Sequence, residues 1–169
     1  MATMVSTAAS SETSSRVRAA DRLWGTIVGQ DLTFVLARAN ARAIATVNTV
    51  LADFELKVRS YSVLSLAADD ARPSQRELSE FLRLDPSQIV SLVDDLESRG
   101  LARREPDPTD RRANVVVATD AGRALHERAR RAVEKTEASN FNAFSADDLE
   151  RLGELLRRLA SDVAEDASD

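Results

Sequence analysis

Between residues 20 and 50 the apolar side chains return at helical intervals. Leu32, Val35, Leu36, Ala39, Ala43, Val47, Val50 and Leu51 fall at steps of three, four or one, on one side of a helix or at its margins. That spacing predicts one long helix, with Gly25 and Gly29 weakening its first turns. A shorter apolar segment at residues 60–68 carries Tyr61, Val63, Leu64 and Leu66 and stops at Asp69, Asp70 and Pro73. Ser74 with Glu77 three residues later forms a capping box, and Leu78, Phe81 and Leu82 are expected to face inward from the helix it opens. Asp85, Pro86 and Gln88 mark a second start: a cap, a proline whose missing N–H costs nothing at the first helical position, and glutamine at N3. Ile89, Leu92, Val93 and Leu96 keep the helical rhythm as far as Arg99, and Gly100 ends it. Ser87, Ser91, Asp94 and Ser98 are left on the opposite face.

Beyond Gly100 the pattern changes to that of a hairpin. Residues 101–105 read as one strand, 106–111 as a turn rich in proline and aspartate, and the β-branched run 114–118 as its partner. Thr119 caps a helix expected to reach about residue 143, and Ser145 with Asp148 opens a last one with Leu149, Leu152, Leu156, Leu159 and Val163 in a stripe. The fold class is therefore mainly α with a small β-hairpin wing: a winged helix-turn-helix with N- and C-terminal dimerisation helices. The first and last helices bear apolar stripes that so small a central module cannot fully cover, so a second copy of the chain is the economical partner. The expected division is a flexible leader at 1–15, an N-terminal dimerisation helix and connection at 20–58 and a DNA-binding lobe at 59–118. C-terminal dimerisation helices follow at 119–163, with an acidic tail at 164–169.

Composition narrows the chemistry. The 169 residues include no cysteine and one histidine, which removes disulfides, thiolate chemistry and a conventional zinc site, so no metal and no cofactor are expected. There is no Ser-His-Asp spacing, phosphate-cradling glycine loop or HExxH pattern, so no catalytic residue is assigned and an enzyme is not expected. No apolar run approaches the ~20 residues that span a bilayer, and a soluble cytoplasmic protein without a membrane partner, nucleoid-associated when on DNA, is the expectation. The formal charge of −5 means that attraction to a polyanion must be local. Even between residues 72 and 112, eight arginines meet nine acids, so binding depends on how charges are sorted in space.

A helix such as the second of the pair fits the roughly 12 Å major groove. Ser87, Gln88 and Ser91 are the candidates for bases or adjacent phosphates, with Gln88 suited to adenine. The helix start at Ser74 and Gln75, with Arg76 beside it, is the candidate for the DNA backbone. On the wing, Asp110 and Arg112 are two apart and can point the same way, the acid orienting the guanidinium for a minor groove, with Arg111 between them.

The run D-P-T-D-R-R-A-N-V-V-V-A-T-D-A-G from Asp107 to Gly122, preceded by S-Q-I-V-S-L-V-D-D-L-E-S-R-G-L-A-R-R from Ser87 to Arg104, resembles the MarR family of bacterial winged-helix regulators. The resemblance covers about residues 20–163. It implies a homodimer that binds palindromic double-stranded DNA, commonly as a repressor, with Arg112 as the wing arginine and Asp110 as its orienting acid. It also implies a small phenolic or aromatic carboxylate effector in a crevice between the dimerisation layer and the DNA-binding lobe. Ser91 and Asp95 stand where many relatives carry arginine, and Ala118 replaces a frequent leucine, so base reading is expected to be lighter and the wing more important. The family's peroxide-sensing branch needs a cysteine that this chain lacks.

For an effector, Trp24, Arg38, Arg42, Arg59, Tyr61 and His126 supply the aromatic and cationic chemistry. The other reading weighed is a winged-helix protein-interaction module without specific DNA binding, favoured by the acids near the helix and by Ser91 and opposed by Asp110 and Arg112.

Overall fold

The computed structural model describes residues 21–69, 71–107 and 113–161. The leader, the acidic tail, Val163 and the wing tip with Asp110, Arg111 and Arg112 lie outside the described residues. The chain divides into two compact units between Ala45 and Thr46.

In the first unit the single long helix expected from the sequence is interrupted. Residues 21–24 are helical, α1 spans Ile27–Gln30 and α2 runs over Leu32–Leu51, continuing into the second unit. Two local caps cause the break. Thr26 is extended and its side chain accepts from Gly29 N, while Asp31 is extended and its Oδ1 accepts from Phe34 N at 2.9 Å. Small polar side chains outcompete helix continuation in this way because they satisfy the orphan N–H groups of the next helix. The glycine at 29 is needed for close approach: a Cβ there would lie 2.6 Å from the carbonyl oxygens of Leu23 and Trp24. No described residue of this unit is fully buried, and Ile27 is 90% exposed.

In the second unit a 3₁₀ turn at Ala52–Phe54 ends with Glu55 in the left-handed region, φ 53°. Helix α3, Val58–Ala68, begins two residues earlier than its apolar segment because Asn48 Oδ1 accepts from Val58 N and Ser60 Oγ from Lys57 N, both at 2.9 Å. Then come α4 (Gln75–Leu82), α5 (Pro86–Ser98), β1 (Ala102–Pro106), β2 (Asn114–Ala118), α6 (Asp120–Asn140) and α7 (Ala146–Ala160). β1 and β2 pair antiparallel, with Ala102 opposite Ala118 and Pro106 opposite Asn114. The first strand is therefore one residue later than its sequence pattern, with Leu101 buried in the preceding turn. The capping boxes Ser74/Glu77 and Ser145/Asp148 both form as read. α6 ends three residues short of the expectation, at a turn where Phe141 and Phe144 meet edge to face.

The core gathers Leu51 and Leu56, Val63, Leu64 and Ala67 of α3, Leu78 of α4, and Ile89, Val93 and Leu96 of α5, with Val116 of β2 and Ala129 and Val133 of α6. Phe81, expected inward, is 75% exposed. In so short a helix the buried stripe runs from Leu78 to Leu82, and partly buried Ser79 takes the flank that Phe81 was expected to fill. The Ser79 hydroxyl donates to Leu84 O at 2.6 Å and closes the turn into α5. α6 and α7 leave a cleft of about 440 Å³ between Glu134, Glu137, Ala138 and Phe141 on one side and Leu149, Leu152, Gly153 and Leu156 on the other.

Gly122, in the first turn of α6, packs directly on the chain at Leu101, whose carbonyl oxygen a Cβ at position 122 would meet at 1.9 Å. Backbone cannot swing aside as a side chain does, so Gly122→Ala is expected to lower stability by about 2 to 3 kcal/mol. The melting temperature, followed by circular dichroism, should fall by roughly 5 to 10 °C.

Candidate nucleic-acid interface

The polar side of α5 is set by its apolar side. Ile89, Val93 and Leu96 are fully buried, which turns Ser87, Gln88, Ser91 and Asp94 outward into solvent. Asp85 starts the helix: its Oδ1 accepts from Ser87 N at 2.8 Å and from Ser87 Oγ at 2.5 Å. The Ser87 hydroxyl and then its backbone N–H hold the Asp85 carboxyl below the usual range. Gln88 is exposed at N3, and the reciprocal bond of a full capping box is replaced by this aspartate-serine pair. Ser91 Oγ donates to Ser87 O at 3.0 Å.

The arginines around the helix pair are sorted by carboxylates of the same lobe. Arg104 on β1 donates from Nη2 to Asp94 Oδ1 at 2.7 Å, pairs through Nη1 with Glu97, and bonds Gln75 Oε1 from Nε at 2.9 Å and Nη2 at 2.6 Å. One guanidinium thus joins α4, α5 and the hairpin. Arg72 and Arg103 converge on Glu105, each at 2.6 Å, and hold its carboxyl below the ordinary value, Arg72 first. Arg99 reaches back from the end of α5 to Asp95 and to the carbonyls of Phe54 and Glu55. Arg76 pairs with Glu80 at 2.8 Å, i to i+4 along α4.

At the start of α4, Ser74 N donates to Glu77 Oε2 at 2.7 Å and Glu77 N donates to Ser74 Oγ at 3.2 Å. The Ser74 hydroxyl and backbone hold the Glu77 carboxyl low. This end is also tied to the hairpin, through the Ser74–Val115 bridge and Val116 N donating to Pro73 O at 2.8 Å. Ser74, Gln75 and Arg76 are therefore together, with their side chains engaged by Glu77, Arg104 and Glu80 respectively. At the wing, Asp107 N donates to Ala113 O at 2.9 Å and closes the described stem.

The effector candidates fall into two pairings. In the first unit the Arg38 guanidinium sits 5.4 Å over the Trp24 ring, and Arg42 lies one turn further along α2. In the second unit the rings of Tyr61 and His126 are 5.7 Å apart, and Arg59 is exposed near the start of α3. Burial raises the Tyr61 phenol, opposed by a hydrogen bond from Ser65. Burial also lowers the His126 ring, with Glu127 opposing and Arg130 adding.

Sequence reasoning placed the serines and the caps but missed three features of this surface. The Arg104 clamp links residues far apart in sequence, the Arg99 anchor binds backbone carbonyls, and Val90 is 40% exposed beside the serines. Only the last had a local signal: it is the valine of α5 outside the Ile89, Leu92, Val93, Leu96 rhythm.

A family model described as MarR family matches residues 54–113. A MarR-family transcriptional regulator from Rhodococcus sp. RHA1 is 36% identical with a TM-score of 0.74, covering 80% of this chain and 97% of its own. CouR from Rhodococcus jostii RHA1, solved with p-coumaroyl-CoA, is 37% identical with a TM-score of 0.75 over 80% of this chain and 96% of that one. A transcriptional repressor CouR bound to a 23-mer DNA duplex is 30% identical with a TM-score of 0.72, over 82% and 97%.

Two measurements probe this geometry. Arg104→Ala leaves Asp94, Glu97 and the Gln75 carbonyl without their shared donor, and urea unfolding should show a loss of about 1 to 3 kcal/mol, partly restored in Arg104→Lys. The His126 ring, which burial pushes below the ordinary histidine range, binds its proton less tightly folded than unfolded. Its stabilising contribution is complete above about pH 6.5 and is lost as the pH falls through the lower folded value. Melting curves from pH 8 to 5.5 should fall less steeply with acidification for His126→Gln than for the wild type, and equal slopes would separate His126 from that acid sensitivity.

Proposed function

Because the chain belongs to the MarR family of transcriptional regulators, we propose that it is a homodimeric, sequence-specific double-stranded DNA-binding repressor relieved by a small aromatic or anionic effector. The observation that carries this reading is the exposed polar arc of α5, with Ser87, Gln88 and Ser91, held beside a hairpin by the Arg104 clamp. A relative 30% identical to this chain is a repressor on a DNA duplex, and one 37% identical binds an aromatic acyl-CoA.

In this reading α5 enters the major groove, and its Ser87, Gln88 and Ser91 face base edges or adjacent phosphates. The start of α4 at Ser74, Gln75 and Arg76 lies along the sugar-phosphate backbone and sets register. Asp110, Arg111 and Arg112 serve the wing, where Asp110 orients Arg112 into a minor groove. Two copies meet groove faces about 34 Å apart on a palindromic site. Exposed apolar residues in each unit, Ile27, Val28 and Leu32 of α1 and α2 in the first and Leu155 and Leu159 of α7 in the second, are surfaces on which a second copy gathers. The lobe at 59–118 is the DNA-binding part, with dimerisation helices at 20–58 and 119–163.

For the effector, Trp24 with Arg38 and Arg42, and Tyr61 with His126 and Arg59, offer aromatic faces beside cations or a titratable ring. A ligand that binds one spacing of the two recognition helices better than the other shifts the dimer between them and so weakens DNA binding. Among the described residues no helix is long and apolar enough to cross a membrane, which is consistent with a cytoplasmic regulator.

Electrophoretic shifts on specific and scrambled duplexes at one salt concentration test the assignment. Arg112→Ala is expected to weaken specific binding strongly. Gln88→Ala should change sequence preference by roughly 1 to 3 kcal/mol between sites while leaving scrambled-duplex affinity nearly as it was. Wild-type affinity in both variants would sink the assignment.

A further inference from the structure

The outward arc of α5 bears no cation, and its hydroxyl protons are already committed. Ser87 donates to Asp85 Oδ1 at 2.5 Å, Ser91 to Ser87 O at 3.0 Å and Ser98 to Asp95 O at 2.8 Å. Asp94 and Asp95 are themselves held, by Arg104 at 2.7 Å and Arg99 at 3.4 Å. A serine whose proton is in use still has lone pairs, so toward a base it acts as an acceptor. It then suits the exocyclic amine of adenine or cytosine and not the N7 and O6 acceptors of guanine. Bidentate reading of guanine by an arginine of α5 is excluded, since Pro86–Ser98 contains none.

Val90 stands at the margin of this arc. It follows Ser87 by three residues and precedes Asp94 by four, so the three share a side of the helix. It is 40% exposed, whereas Ile89 before it is fully buried. A β-branched side chain has one strongly preferred rotamer in a helix, so its two methyl groups are presented as a fixed apolar knob. The apolar feature of the major-groove floor is the C5-methyl of thymine.

We propose that Val90 is a specificity-determining residue that reads a thymine methyl group by apolar contact, beside the serine acceptors. This rests on the DNA-binding reading above. It makes the contacts of Val90 and its neighbouring serines methyl and acceptor contacts, so each half-site holds a thymine whose methyl group contributes to affinity.

The test uses the full chain and duplexes that it selects from a randomised pool. Each thymine of the selected site is replaced in turn by deoxyuridine, which pairs identically and lacks only the methyl. The wild type should lose about fourfold in affinity at one thymine per half-site, the factor for taking one methyl out of an apolar contact. Val90→Ala should bind the thymine and uracil duplexes equally. Indifference of the wild type to uracil at every position overturns the proposal, and so does a variant that keeps the uracil penalty. The first of these readouts needs no mutant and is unaffected by variant folding. Failure to select or bind any duplex at low salt overturns the DNA-binding reading itself, which separates the two failures.

Discussion

A single guanidinium organises the lobe that faces DNA in the proposed function. Arg104 extends from the hairpin to Asp94 and Glu97 of α5 and to Gln75 of α4, so three elements with few backbone bonds in common share one rigid donor fork. The same contacts solve a charge problem. A chain with formal charge −5 must present to a polyanion a surface on which carboxylates do not act alone, and here the acids of α5 are met by Arg104 and Arg99. Exposed pairs add little stability individually, but a network that is one-quarter to one-third exposed, as Arg104 and Glu97 are, loses less to solvent screening.

The parts of the fold legible in the sequence are those whose causes are local. The capping boxes at Ser74 and Ser145, the Asp85-Pro86 start, the Gly100 stop at φ 68° and the strand Asn114–Ala118 are each determined by a few neighbouring residues. The failures have equally physical origins. Apolar periodicity runs straight through Asp31 because it counts hydrophobic positions and is blind to a carboxylate that caps Phe34 N. Phe81 looked buried by residue type, but an eight-residue helix has room for one narrow stripe, and the hydroxyl of Ser79 closes the turn on its margin.

The candidate site divides in the same way. Which residues of α5 are exposed follows from Ile89, Val93 and Leu96, and the sequence suffices for that. What those residues can donate does not follow, because it depends on where the protons of Ser87 and Ser91 are directed, and the destination of Arg104 is set by tertiary approach across β1, α5 and α4. An arginine count over residues 72–112 therefore overstates the positive field available: Arg72, Arg76, Arg99, Arg103 and Arg104 all meet carboxylates of their own lobe. In the proposed function this shifts weight away from the charge of the described arginines.

The hairpin has one more property, which concerns behaviour at high concentration. Its second strand, with Val115, Val116 and Val117 in succession, is the segment best suited to pair with a foreign chain, yet it is flanked by β1 on one side and by Pro73 and Ser74 on the other. The rim left open belongs to β1, where charged Arg103, Arg104 and Glu105 occupy the middle and Pro106 the end, and where the N–H of Arg104 is taken by Glu97 Oε1 at 2.7 Å. The described hairpin is thereby guarded against strand-to-strand aggregation.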